Sequence, residues 1–369
     1  MINYAQARVL DVYNRNADVQ ELVVETNNSQ GRAVNYISFS GPVKKGDIVI
    51  INTTAVDLNL GSGGWHFVMA VVNNGHRQDT KKGHIIKLNY TPCQYKCITV
   101  EEQASRYHKV FNEKTSIGGM PVLIGELHSM LPPACCALKH LLGNKIKIAY
   151  IMVEGACLPI NYSYSVDRLK EKGLLEKTIT PGNALGGDLE TVSVYNALLA
   201  AKHVAKADIS IVTLGPGIIG TSTKYGFSGI SLAEVINATN SLKGIPIYIP
   251  RISFCDARRR HYGISHHSVT LLRDIVYSPC IIPLPIINNR KKFGLLLKTI
   301  VPATIKKGHK LFVCSGKYIE KAMKLYDVNT TTMGRGIHED KEFFVAIGSA
   351  AKYAIQVLEK GLPHFKPPC

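Results

Sequence analysis

ADISIVTLGPGIIGTSTKYGFSG, residues 207–229, decides how the rest of the chain is read. Residues 209–214 are an apolar, β-branched run that predicts a buried strand. The run breaks into Gly215, Pro216, Gly217 and Gly220, then Thr221, Ser222 and Thr223. Gly226 and Gly229 follow, and Ser231 introduces a helical pattern over 232–242. A strand that opens into glycines and hydroxyls ahead of a helix can turn backbone N–H groups toward an anion. The spacing is neither a dinucleotide fingerprint with its acidic follower nor a P-loop with its lysine. Two readings stay open, an anion-binding loop and a tight connection.

Outward from this stretch, apolar runs alternate with helical patterns. Strands are expected at 122–125, 147–153, 245–253, 281–286, 310–314 and 330–333. Helices are expected up to Leu142 and over 166–171, 189–205 and 341–360. This alternation predicts a doubly wound α/β domain with a mostly parallel sheet and helices on both faces. Residues 1–105 read differently. Short strands at 21–25, 34–39, 48–52 and 65–72, with turns at 41–47, 61–64 and 73–76, predict a small all-β, barrel-like domain. Trp65 is expected in its core, and 101–112 as a connecting helix. The domains expected are thus 1–105 and 106–369, with the ligand site in the second.

The chain of 369 residues is 46% hydrophobic and 19% charged, which suits a sizeable core and argues against disorder. Its formal net charge is +17, yet residues 1–105 hold ten basic and nine acidic side chains. The near-neutral barrel therefore argues for packing or assembly, a homodimer included, rather than oligonucleotide binding. Residues 290–327 hold ten basic and two acidic residues. That stretch is either a solvated lysine face or a surface for a polyanion such as nucleic acid. Few aromatics interleave with its lysines. Nine cysteines without a C-x-x-C spacing indicate reduced thiols of a cytoplasmic protein. The first eleven residues lack signal-peptide character, and prolines cut the apolar run near Ile281, so no membrane partner is expected.

In open α/β sheets ligands bind beyond the carboxyl ends of the strands. The densest chemistry falls there, in RISFCDARRRHYGISHHS at 251–268. Arg251, Arg258 and Arg260 suit phosphate or carboxylate, and Ser265 is a plausible N-cap for a following helix. Asp256, His261, His266 and His267 are candidates for proton transfer, and Asp256, His261 and His266 for a divalent metal. Adjacent helical residues diverge by about 100°, so one ion is not expected to take both His266 and His267. Cys255 reads as a small buried thiol rather than a nucleophile. Glu126 and His128 follow one strand and share a face if extended. Asp188 and Glu190 are expected at a helix start.

GELHSMLPP at 125–133, GGDLETV at 186–192, LGPGIIGTST at 214–223, GFSGI at 226–230 and the segment 251–268 carry a family resemblance. So does NTTAVDLNLGSGGWHFV at 52–68. The chain resembles an uncharacterised bacterial family, domain of unknown function 3866, over nearly its whole length. Asn183 stands where that family usually has histidine, Glu154 where it has aspartate, and Ser222 where it has glycine. The resemblance supports the motifs and implies no activity. The residues themselves point to an enzyme acting on a phosphorylated or nucleotide-like small molecule by metal-assisted hydrolysis or transfer. In that reading Gly215, Gly217, Gly220, Thr221, Ser222 and Thr223 hold the anion with the arginines. Asp256, the histidines, Glu126, His128 and Asp188 supply proton transfer. The alternatives are a nucleic-acid binder and a metabolite-sensing or scaffolding protein.

Overall fold

Period-two alternation places Ala7 and Val9 inside and Gln6 and Arg8 outside along the first strand, β1 (Tyr4–Asn14). It pairs with β2 (Val19–Glu25), which pairs with β3 (Gln30–Tyr36). β4 (Ile48–Asn52) and β5 (Trp65–Val71) complete a closed barrel in the order β1-β2-β3-β5-β4. Its core is Ala7, Val9, Leu22, Val24, Ala33, Val43, Val49, Ile51 and Val68. Trp65 is only half-buried, contrary to expectation, and carries the Arg32 guanidinium 4.6 Å over its ring. A short hairpin, β6 (Ile85–Lys87) and β7 (Tyr95–Cys97), follows. The structure, a computed structural model, describes residues 1–27, 29–61, 63–72 and 82–360. The turn expected at 73–76 lies outside the described residues.

The chain divides into units Met1–Cys97 and Ile98–Cys369, eight residues before the boundary that composition suggested. Residues 98–105 join the second unit because Thr99 bridges Glu190 and the Val100 N–H donates to the Glu190 carbonyl. The connecting helix is shorter than expected, His108–Glu113.

The second unit is built on eight parallel strands. They are β8 (Pro121–Gly125), β9 (Ile148–Val153), β10 (Lys177–Pro181), β11 (Leu189–Thr191), β12 (Ile209–Leu214), β13 (Ile245–Ile249), β16 (Ile281–Pro285) and β17 (Lys310–Cys314). Their order is β11-β10-β9-β12-β8-β13-β16-β17. A two-stranded ribbon, β14 (Ile252–Ser253) and β15 (Gly263–Ile264), lies between β13 and β16 in the chain. Every residue of β8, β9, β12, β13 and β16 is buried, as strands covered on both faces require. Helices Leu131–Leu142, Tyr164–Glu171, Ile319–Leu325 and Lys341–Lys360 cover one face. Helices Val194–Leu199, Leu232–Ser241, His266–Thr270 and Arg290–Ile305 cover the other. No helix among the described residues is long and apolar enough to cross a membrane.

Two expected elements differ. Residues 189–191 form strand β11 instead of opening a helix, and residues 330–333 make only the bridge Thr332↔Arg335. Prolines shape the sheet near the site. Pro283 and Pro285 have no N–H, and the ladder from β16 to β13 is the single pair Ile247↔Ile281. Freed from a neighbour on that side, the chain after β13 turns into the β14–β15 ribbon.

Candidate functional site

β8 is the first strand of its sheet and lies between β12 and β13. The helix after β8 covers one face, and the helices after β12 and β13 cover the other. Such a switch opens crevices at the carboxyl edge on both sides of the strand.

Glu126 follows β8 directly and is 1% exposed. Tyr248 on β13 donates its hydroxyl to Glu126 Oε1 at 2.5 Å, and Ser268 donates to the same oxygen. Oε2 is buried without a partner. Burial pushes the Glu126 carboxyl up, against the pull of both hydroxyls and of Arg251.

Beyond β13 the chain carries the arginine network. Arg251 and Asp256 are both buried and pair at 3.1 Å. Arg258 grips Asp256 with Nε at 2.9 Å and Nη2 at 2.8 Å. That guanidinium holds the Asp256 carboxyl far below the usual carboxylate range. Arg335 lies 4.0 Å from Asp256 and pairs with Asp340 at 3.0 Å. Asp340 is fully buried, accepts from the Ser253 hydroxyl at 2.7 Å, and leaves Oδ1 unpartnered. Asp256 therefore sits in an arginine network rather than among the histidines. Cys255 is exposed, not buried as expected. Its Sγ–H donates to the Glu339 carbonyl, and desolvation with Asp340 and Glu342 pushes its thiol up.

Ser265 caps the following helix as expected, accepting the His267 N–H at 3.2 Å. The cap puts His266 and His267 in the first turn, beside His261 at the end of the arginine loop. Ring centroids lie 5.1 Å apart for His261–His266, 5.0 Å for His261–His267 and 4.3 Å for His266–His267. Both adjacent histidines thus offer a ring nitrogen to one cluster with His261, despite the divergence expected of neighbouring helical residues. One helical turn on, at Leu271–Ile275, the helix widens into π geometry. His261 and His267 are held down at about 3, mainly by burial and then by neighbouring positive charge. Burial and Arg260 lower His266 as well. All three are neutral imidazoles near pH 7.

The glycine loop after β12 reaches this cluster. Gly220 lies beside His267, where a Cβ would make an ordinary contact 3.4 Å from the ring, and Phe227 stacks on that ring at 4.1 Å. Gly215 is required by close approach, since a Cβ would stand 2.3 Å from the Cys157 carbonyl oxygen. The loop hydroxyls turn on their own backbone. Thr221 donates to the Gly226 carbonyl at 3.0 Å, and Thr223 accepts the Gly226 N–H at 3.2 Å.

His128 takes the other crevice, between Tyr150 and Ser163. A cleft of about 470 Å³ opens there, lined by His128, Ser163, Gly215, Gly217 and residues 329–333. Asp188 stands apart. It precedes β11 and binds Lys170 at 2.7 Å and the Thr178 N–H at 2.8 Å. Three strand spacings separate β10 from β8, about 14 Å. A larger cleft, about 630 Å³, lies along Gln6, Arg8, Glu25 and Thr26 of the barrel, and no candidate site residue lines it. Sequence reasoning missed Tyr248, Ser268, Arg335 and Asp340. Tyr248 had one signal, a lone polar atom in the strand IPIYI.

The family profile for proteins of unknown function, DUF3866, matches residues 32–351. The chain belongs to the DUF3866 family. A search of curated proteins returned no match. The three positions expected from the resemblance to depart from the family pattern have a structural side. Asn183 donates its N–H to Glu154 Oε1 at 2.5 Å, so two of these positions meet at the ends of β9 and β10. Ser222 has φ +68°, a left-handed conformation that glycine adopts without strain. The basic stretch of this DUF3866 chain is spread over helix, strand and loop. Lys292 pairs with Glu342 at 2.6 Å and lies 4.7 Å over Phe254.

Proposed function

We propose that the protein is an enzyme that binds a phosphorylated or nucleotide-like small molecule in the crevice between β8 and β13 and hydrolyses or transfers its anionic group. One observation carries this reading. Glu126 is a fully buried carboxyl with Oε2 unbonded and with Oε1 fixed by Tyr248 and Ser268. Packing gives no reason to bury a carboxyl with an idle oxygen. Burial pushes its pKa up, the direction expected of a carboxyl that carries and passes a proton. Arg258, 41% exposed at its side chain, and the exposed Arg260 supply positive charge at the rim for the anion. Arg251 is engaged by the buried Asp256 carboxylate and holds it in place.

The test is a panel of phosphorylated small molecules screened by thermal shift and by phosphate release. Arg260→Ala should weaken binding at least tenfold. Glu126→Gln should bind the same compound and release phosphate at least a hundredfold more slowly. Turnover that survives Glu126→Gln would remove this reading.

A further inference from the structure

We infer that His261, His266 and His267, brought together by a helix cap and the end of the arginine loop, form a binding site for one divalent transition-metal ion of the zinc class. Each residue offers one ring nitrogen, and the three lie within 4.8 Å of one another. Metal–nitrogen bonds of about 2.0–2.1 Å place tetrahedral ligands about 3.3 Å apart, within reach of small side-chain rotations. Nitrogen-only ligands favour zinc, cobalt or copper over magnesium or calcium. Three protein ligands leave a coordination position for water or for a ligand oxygen.

Three observations separate this set from histidines buried for packing. His267 is 6% exposed with Nδ1 unpartnered, and His266 Nε2 is likewise buried and unpartnered. Packing alone leaves those atoms unsatisfied, and a metal ion would satisfy a lone pair on each ring. Next, the rings are oriented from outside the cluster. His261 Nδ1 lies 2.9 Å from Ser265 Oγ, and with the proton on Nδ1 the Nε2 lone pair is free to ligate. Phe227 fixes His267, with 7° between the ring planes. Finally, among the described residues this is the only group of three or more histidine, cysteine or carboxylate side chains close enough to share an ion. Asp256, the ligand that spacing suggested, is occupied by Arg251 and Arg258, and His267 takes its place.

The nearby guanidinium groups oppose a bare cation and favour one with an anion attached. Metal and rim arginines would then share a single anionic group. The site stands on its own geometry and is read without any substrate. Full-length protein stripped with EDTA is titrated with CoCl2, followed by visible absorption, and with ZnCl2 by calorimetry. The expected result is one ion per chain. His266→Ala should weaken binding at least tenfold, while the exposed His338→Ala should leave it unchanged. His266→Asn replaces the alanine variant if circular dichroism shows that the latter does not fold. No saturable uptake by the wild type, or full uptake by a folded His266 variant, overturns the inference. Cobalt uptake without any phosphate release overturns the enzymatic reading alone.

Discussion

The two crevices beside β8 start from residues two positions apart and treat polar groups in opposite ways. On the His128 side every proton has a place. Thr213 donates to the Leu214 carbonyl at 2.9 Å and so accepts from the Tyr150 hydroxyl at 2.9 Å. With the Tyr150 proton spent, His128 Nδ1–H donates to it at 3.0 Å, and Nε2 accepts from Ser163 at 2.6 Å. Ser163 in turn caps its helix by accepting the Val166 N–H. On the Glu126 side Glu126 Oε2, His266 Nε2, His267 Nδ1 and Asp340 Oδ1 are buried without partners. The roomy cleft lies over the satisfied side. Idle buried polar atoms, rather than volume, distinguish the side proposed to take a ligand.

The largest effect that tests this contrast belongs to Arg251. Removing a buried ion-pair partner costs about 3–5 kcal/mol, so Arg251→Met should lower stability by about that much in urea unfolding. Glu126→Gln keeps its shape and both hydroxyl contacts. It should slow turnover by about 10²–10⁴-fold with little change in melting temperature. If Glu126→Gln instead unfolds the protein as Arg251→Met does, Glu126 is structural and the two crevices do not differ. His128→Asn leaves Ser163 or Tyr150 without its partner. It should cost about 1–3 kcal/mol in the same unfolding experiment and leave turnover within twofold.

The fold was legible where burial imposes a continuous apolar run. Residues 209–214 match β12 in full, because a buried parallel strand shows little else, and 310–314 match β17, an edge strand with only Cys314 buried that still carries an apolar run. β1 was missed because only Ala7 and Val9 are buried among its eleven residues, a weak alternation. β11 was hidden inside a helical pattern because its three residues take their strand geometry from pairing with β10, not from a pattern of their own. The arginine–histidine segment was visible as a density of ionisable groups. Which of them meet was not visible. Asp256 lies among arginines rather than with the histidines because three guanidinium groups converge on its carboxylate, and sequence spacing carries no record of Arg335. Asp340 was invisible as a site residue, and Tyr248 showed only as a polar atom in an apolar strand, because each reaches the site through the sheet or a helix start far along the chain.

The smallest effect is a proton-linked one on the satisfied side. Burial lowers His128 from an ordinary 6.5 to about 4 in the folded protein. A lowered histidine is neutral when folded, and the unfolded chain takes up its proton first. Above pH 7 both states are neutral and the contribution of His128 to stability is complete. As pH falls through 6.5 the unfolded state binds a proton that the folded state refuses, so stability falls until about pH 4 and then levels. At pH 6 this one group accounts for about 0.8 kcal/mol of the loss relative to pH 8. Glu126, the three clustered histidines and other carboxyls titrate in the same experiment, so the quantity to read is the difference between wild type and His128→Asn. Wild-type stability should drop more between pH 8 and pH 6 than that of the variant, measured by urea unfolding at each pH. Parallel curves would show that His128 is protonated as readily folded as unfolded. The hydrogen-bond chain through Tyr150 would then be open to water, and the contrast between the two crevices would be lost.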